Sequence, residues 1–154
     1  MSNAVPIRTK AFTSHLLVTL QFTAIVIAAW PFFDDQAYRL EWLSLSALGV
    51  IVGLYTLAHN KLGNFGIYPE PIPDACLVTT RPYRWIRHPM YTSLLLVMLG
   101  ITLYHHAWPN YVGFGLLCAA IFGKIRREEA HLHLKFDDYS GYVRHTHRLI
   151  PKIY

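Results

Sequence analysis

This sequence predicts an all-α fold, an integral membrane helical bundle of four transmembrane segments, on three observations. Only 15% of its 154 residues are charged, where an ordinary soluble domain carries about 25%. There is no Asp, Glu, Lys or Arg between Lys10 and Asp34, between Glu41 and Lys61, or between Arg87 and Lys124. A bilayer crossing needs a run of about 20 such residues. The remaining Lys and Arg fall almost entirely on alternate sides of these runs. The composition excludes a disordered chain, a nucleic-acid tail and a disulfide scaffold.

The first span is expected over residues 14–33, with Trp30, Phe32 and Phe33 as an aromatic belt at its far end. Its apolar run is longer than the 7–15 residues of a signal peptide, so it reads as a retained span. The second is expected over 42–58. The third charge-free run, of about 36 residues, is too long for one crossing, since as a single helix it would extend about 54 Å. His105, His106, Ala107, Trp108, Pro109 and Asn110 lie in its middle, and Pro suits a helix start but breaks an interior. A hairpin follows, with arms 89–104 and 109–123, each short enough to imply tilt, local thinning of the bilayer or partial burial.

Charge sets the orientation. Arg8 and Lys10 precede the first span, and Lys61, Arg81, Arg84 and Arg87 occupy the second loop. The tail carries Lys124, Arg126, Arg127, Lys135, Arg144, Arg148 and Lys152. The first loop has Asp34, Asp35 and Glu41 against Arg39. Four spans with both termini cytoplasmic place every Lys and Arg except Arg39 inside. The net charge of +5 is then explained by topology and anionic headgroups rather than nucleic acid. Membrane lipids are the expected partners. Cys76 and Cys118 have neither disulfide nor metal spacing.

The 154 residues read as one membrane domain with two polar segments richer than connectors need. The loop 61–88 holds Gly63, Gly66, Pro69, Pro71 and Pro73, which deny it a regular helix, and aromatics that argue against disorder. The tail 124–154 can continue the last span as a helix until Asp137, Asp138, Ser140 and Gly141 bend it. His131-x-His133 and His145-x-His147 do not share a helix face, so no metal is expected.

Arg87-His88-Pro89-x-Tyr91, an apolar hairpin, then Glu128-Glu129-x-x-Leu132-x3-Phe136-x2-Tyr139-x2-Tyr142 and a closing Arg148-Leu149-Ile150-Pro151 resemble the isoprenylcysteine carboxyl methyltransferase and phospholipid methyltransferase superfamily. Leu77-Val78-Thr79-Thr80-x-Pro82-Tyr83-Arg84 resembles its lead-in. The resemblance covers residues 61–151. It implies an integral membrane enzyme that uses S-adenosylmethionine to methylate a lipophilic small-molecule or lipidated substrate, as a carboxyl O-methyltransferase or a phospholipid N-methyltransferase.

Under that resemblance, Tyr83, His88, Pro89, Tyr91, Glu128 and Glu129 are candidate cofactor-binding residues. The two carboxylates suit ribose hydroxyls or an ammonium group. Their plainer reading is a solvated face pairing with Lys124 and Arg126. Pro89 leaves the amides of a helix start free to meet an anion, and His88 can donate to the same group. Arg87, Arg127 and Arg144 are candidates to hold a substrate carboxylate. An amine acceptor would instead shed a proton, with Glu129 or a histidine receiving it. Arg87, Glu129 and Arg127 are accordingly the expected catalytic residues. Tyr91, Tyr139 and Tyr142 have packing as their plainer role.

The family usually has Gly where this chain has Arg81. That puts the loop's local backbone in question, or adds a charge facing substrate. Nicotinamide-dependent sterol reductases share the Arg-His-Pro element and Tyr-rich tail, but typically carry Arg-Asp and a downstream Cys where this chain has Glu128-Glu129 and none. A non-catalytic assembly subunit is the remaining alternative.

Overall fold

The computed structural model describes residues 7–33, 37–60, 66–70 and 76–154, with side chains from Phe12 onward. Asp34, Asp35, Lys61, Gly63, Pro71 and Pro73, together with the side chains of Arg8 and Lys10, lie outside the described residues. Among those described, the regular structure is all helical: α1 Ile7–Ala29, α2 Leu43–His59, α3 Pro89–His105, α4 Trp108–Lys135 and α5 Tyr139–Arg144. Single 3-10 turns cover Leu40–Trp42 and Arg81–Arg84.

Four long helices stand where the four spans are expected, with shifted ends. α1 takes in residues 7–13, ahead of the expected span, because nothing in them breaks a helix. It stops at Ala29 because Trp30 precedes Pro31, and a residue before proline avoids the helical region. The long apolar run breaks at His106, which takes a left-handed backbone (φ 56°), and at extended Ala107. α4 does not end with the apolar stretch. It runs on unbroken through Lys124 and both glutamates to Lys135, so the expected last span and the first part of the tail are one helix.

Phe12–Ala29 and Leu40–His59 are long and apolar enough to cross a membrane, and only 22% and 17% of these windows are buried. The core helix of a soluble protein would be mostly covered. Here Phe22, Val26, Ile51 and Leu54 are exposed, as lipid-facing side chains would be. Pro89–His105 is a shorter apolar helix.

The hairpin arms pack mainly against earlier helices, α3 along α2 and α4 along α1. Small residues permit this. A Cβ on Gly49 would lie 2.7 Å from the Val97 amide nitrogen, and one on Gly113 would lie 2.5 Å from that of Ala28. Such close approach is the usual means of helix association where lipid offers no hydrophobic drive. Ser46 Oγ donates to the Val97 carbonyl at 2.9 Å and Ser93 Oγ to that of Gly49 at 2.8 Å. Asn110 Nδ2 donates to the carbonyls of Ala28 (3.0 Å) and Trp30 (2.8 Å), which the end of α1 leaves without helical partners. The core of Ala24, Ala28, Met98, Leu117, Ile121 and Ile125 extends to Leu149 of the tail. The C-terminal segment is thereby seated at the polar end of the bundle.

Candidate functional site

The site begins with a backbone device. Arg81 has φ 58°, in the left-handed region that favours glycine. The chain thus keeps the conformation a glycine would adopt, at a cost of about 1–2 kcal/mol for a residue with a Cβ. The 3-10 turn Arg81–Arg84 follows, with Pro82 buried. Residues 85–88 then run alongside the tail in a short parallel pairing. Arg87 N–H donates to the His147 carbonyl (2.7 Å), His88 N–H to that of Arg148 (3.0 Å), and His147 N–H to that of Trp85 (3.0 Å). Thr92 Oγ1 adds a bond to the Leu149 carbonyl at 2.8 Å.

This pairing brings three basic side chains onto Glu129, which is buried on α4. Arg87 Nε donates to Oε1 at 2.8 Å, and His88 Nε2 lies 3.4 Å from the same oxygen. Arg148 Nε donates to Oε2 at 2.8 Å. Arg87 also donates to the Thr146 carbonyl and, at 3.3 Å, to Thr146 Oγ1. Burial alone would raise the Glu129 pKa, but hydrogen bonds from His88, Arg87 and Arg148 overcome it and hold the carboxyl at about 2. The plainer alternative, a helix-face pairing of Glu129 with Arg126, does not form; the partners of Glu129 come from distant chain segments.

Glu128 is one helical step away and points elsewhere, because successive residues are about 100° apart around an α-helix. Its side chain is 31% exposed. Oε2 accepts from Tyr91 Oη at 3.1 Å and lies 3.8 Å from His88 Nδ1. His88 therefore stands between the two carboxylates.

Glu128 opens onto a cleft. Its floor is the start of α3: His88, Pro89, Met90 and Tyr91. The first helical hydrogen bond runs from Thr92 N–H to the His88 carbonyl, so the amides of Met90 and Tyr91 precede the ladder. One wall is Tyr83 with Leu77 and Val78; the opposite wall is Leu132, Phe136, Tyr139 and Tyr142. Tyr142 Oη ties the two by donating to the Tyr83 carbonyl at 2.6 Å. The Tyr83 phenol is pushed up to about 12 by burial and then by the Glu128 charge, so it stays a neutral donor. The third side is the segment 66–70. Lys124 Nζ holds the Ile67 carbonyl at 2.8 Å, and Glu70 accepts from Ser14 Oγ and, at 3.4 Å, from Arg127.

Of the residues singled out in the sequence, Tyr83, Arg87, His88, Pro89, Tyr91 and Glu128 line this cleft. Glu129 sits behind it, engaged by two arginines. Arg127 turns toward α1, where it reaches Ser14 Oγ at 3.1 Å. Exposed Arg144 does not line the cleft either. Arg148 and Thr146 were not singled out as site residues. Arg148 belonged to the closing motif, but its spacing could not name Glu129 as its partner.

A model of the phospholipid methyltransferase family matches residues 41–138, well over half of the chain. The chain belongs to that family. Its members are membrane methyltransferases that generally use S-adenosylmethionine. The matched stretch runs from within the Leu40–Trp42 turn to just before α5, and so contains Arg87, Glu128 and Glu129. Two relatives extend the comparison. The uncharacterized protein YpbQ of Bacillus subtilis is 29% identical over 122 residues, covering 76% of this chain and 68% of that protein. The cobalt-zinc-cadmium resistance protein CzcN of Cupriavidus metallidurans is 24% identical over 144 residues, covering 92% of this chain and 66% of that protein. This member of the phospholipid methyltransferase family thus spans about two thirds of the length of each.

Proposed function

We propose that the chain is an S-adenosylmethionine-dependent methyltransferase that modifies a lipophilic acceptor at the cytoplasmic face of a membrane. The observation that carries this reading is the paired disposition of Glu128 and the α3 N-terminus across one cleft. S-adenosylmethionine supplies a methyl group on a sulfonium centre. Its zwitterionic end needs an anion site and a cation site close together. The amides of Met90 and Tyr91, with His88, suit the carboxylate. The partly exposed Glu128 carboxylate suits the ammonium or a ribose hydroxyl. The residues present therefore fit the cofactor. Glu129 acts at one remove, by fixing Arg87, His88 and the tail that forms the far wall. Methyl transfer is an in-line displacement, so alignment and exclusion of water are what such a scaffold contributes.

The acceptor enters sideways from the bilayer in this reading, past Met90 at the start of α3. Four spans with both termini cytoplasmic follow from the asymmetry of Lys and Arg. A carboxylate acceptor, as in carboxyl O-methyl transfer, would need an uncommitted cation. The charged side chains lining the cleft among the described residues are Glu70, Glu128 and Arg87, with Arg87 bound to Glu129. An amine acceptor of phospholipid type fits that balance better, because it needs no such cation.

The test uses the full chain in lipid nanodiscs with labelled S-adenosylmethionine, NADPH in a parallel binding assay, and phosphatidylethanolamine or a prenylcysteine as acceptor. Saturable binding of S-adenosylmethionine alone, with label appearing in the amine lipid, is expected. Binding of NADPH instead, or of neither, refutes the proposal. Label in the prenylcysteine alone reverses the acceptor assignment.

A further inference from the structure

Tyr68, Tyr83, Tyr91, Tyr139 and Tyr142 line the cleft, and the hydroxyls of two of them are accounted for. Tyr91 Oη donates to Glu128, and Tyr142 Oη donates to the Tyr83 carbonyl. Tyr139, at the start of α5, is 1% exposed, and its hydroxyl has no hydrogen-bond partner among the described residues. Its ring is fixed edge-on to His133, with centroids 4.7 Å apart. A buried hydroxyl without a partner lowers stability, and phenylalanine would fill the same space without that penalty. Packing accounts for the ring but not for the oxygen.

We propose that the Tyr139 hydroxyl is a ligand-binding donor in the cleft wall, directed at a ribose oxygen in the nucleoside half of the methyl donor. This inference rests on the methyltransferase reading above. The surroundings select the group. Glu128, Glu129 and Arg87 all act electrostatically on the Tyr139 phenol. Two of these charges are carboxylates and one a guanidinium, so the field at the phenol disfavours an anionic partner. Leu132 and Phe136 flank Tyr139 in the same wall and suit the flat, neutral end of a nucleoside rather than its zwitterionic end. A neutral oxygen is therefore the acceptor that this donor matches.

The test measures binding rather than turnover, on the full chain in nanodiscs. Calorimetry compares wild type and Tyr139→Phe with S-adenosylmethionine and with its 2′-deoxy and 3′-deoxyribose analogues. Loss of one such bond is expected to weaken S-adenosylmethionine about 10-fold in the variant. Wild type is expected to discriminate against one deoxy analogue by a similar factor, and the variant to lose that discrimination. The variant's melting temperature without ligand is expected to equal or exceed that of wild type, because no internal bond is lost. Unchanged affinity, retained discrimination or a lower melting temperature would each overturn the assignment of Tyr139. Failure of wild type to bind S-adenosylmethionine would overturn the parent reading as well, so the two failures are distinguishable.

Discussion

Glu128 and Glu129 are adjacent, alike in chemistry and carried by the same helix, yet they serve different regions of the molecule. Glu129 faces inward, where Arg87, His88 and Arg148 join α3, α4 and the tail into one block. Glu128 faces the cleft, with the Tyr91 phenol donating to it and His88 Nδ1 3.8 Å away. In the first region two guanidiniums engage one carboxylate, and the groups are committed to one another. The second retains acceptor capacity. Chemistry toward a ligand belongs where bonding is incomplete, and shape-keeping where it is saturated.

The comparison breaks most sharply at Glu129. Glu129→Ala leaves the Arg87 guanidinium buried without its countercharge, and loss of one partner from a buried pair costs about 3–5 kcal/mol. Thermal unfolding in detergent should show a large fall in melting temperature, and limited proteolysis should cut the tail beyond Lys135. The same region carries a pH signature. The Glu129 pKa is lowered from an ordinary 4.5 to about 2, so its stabilisation is complete above about 4.5 and is lost as pH falls toward 2. Tail protection measured by proteolysis should decline across that window in wild type, and Glu129→Gln should abolish the dependence.

Glu128→Gln should behave oppositely. Tyr91 keeps an acceptor, so the melting temperature should move by less than about 1 kcal/mol equivalent. Affinity for S-adenosylmethionine should fall 10-fold or more with loss of a charge-assisted contact. A large stability loss with intact binding would exchange the roles of the two carboxylates.

The smallest effect is expected at Arg81. Arg81→Gly removes the strain of φ 58° but adds chain entropy to the unfolded state. A net gain of several tenths of a kcal/mol is expected by chemical denaturation, with S-adenosylmethionine affinity unchanged.

What could be read from the sequence follows from the reach of each signal. The hairpin was legible because Pro109 interrupts a charge-free run too long for one crossing. The start of α1 was not, since absence of charge marks a membrane and not a helix; Arg8 and Lys10 are helical too. The motif around Pro89 pointed to Tyr91 and His88 together, and both line the cleft. The partners of Glu129 were not legible. Arg126 stands three residues before it, the spacing of a helix pair, but Arg87 and Arg148 reach it from 42 and 19 residues away. Only tertiary closure of the tail decides between them. The glycine-like backbone at Arg81 was visible solely as a departure from a family pattern, because side-chain chemistry carries no record of φ.

The unbroken run of α4 from Trp108 to Lys135 has a mechanical consequence. With no hinge between Gly123 and Glu128, the angular indexing of the carboxylates is set by the turns counted from the contacts with α1. One residue inserted after Gly123 would rotate everything beyond it by about 100° and advance it about 1.5 Å. Glu129 would swing out of reach of both arginines. Seven inserted residues would restore the direction but displace the site by about 10.5 Å along the axis. The half of this helix that packs along α1 therefore acts as the gauge against which the site is aligned.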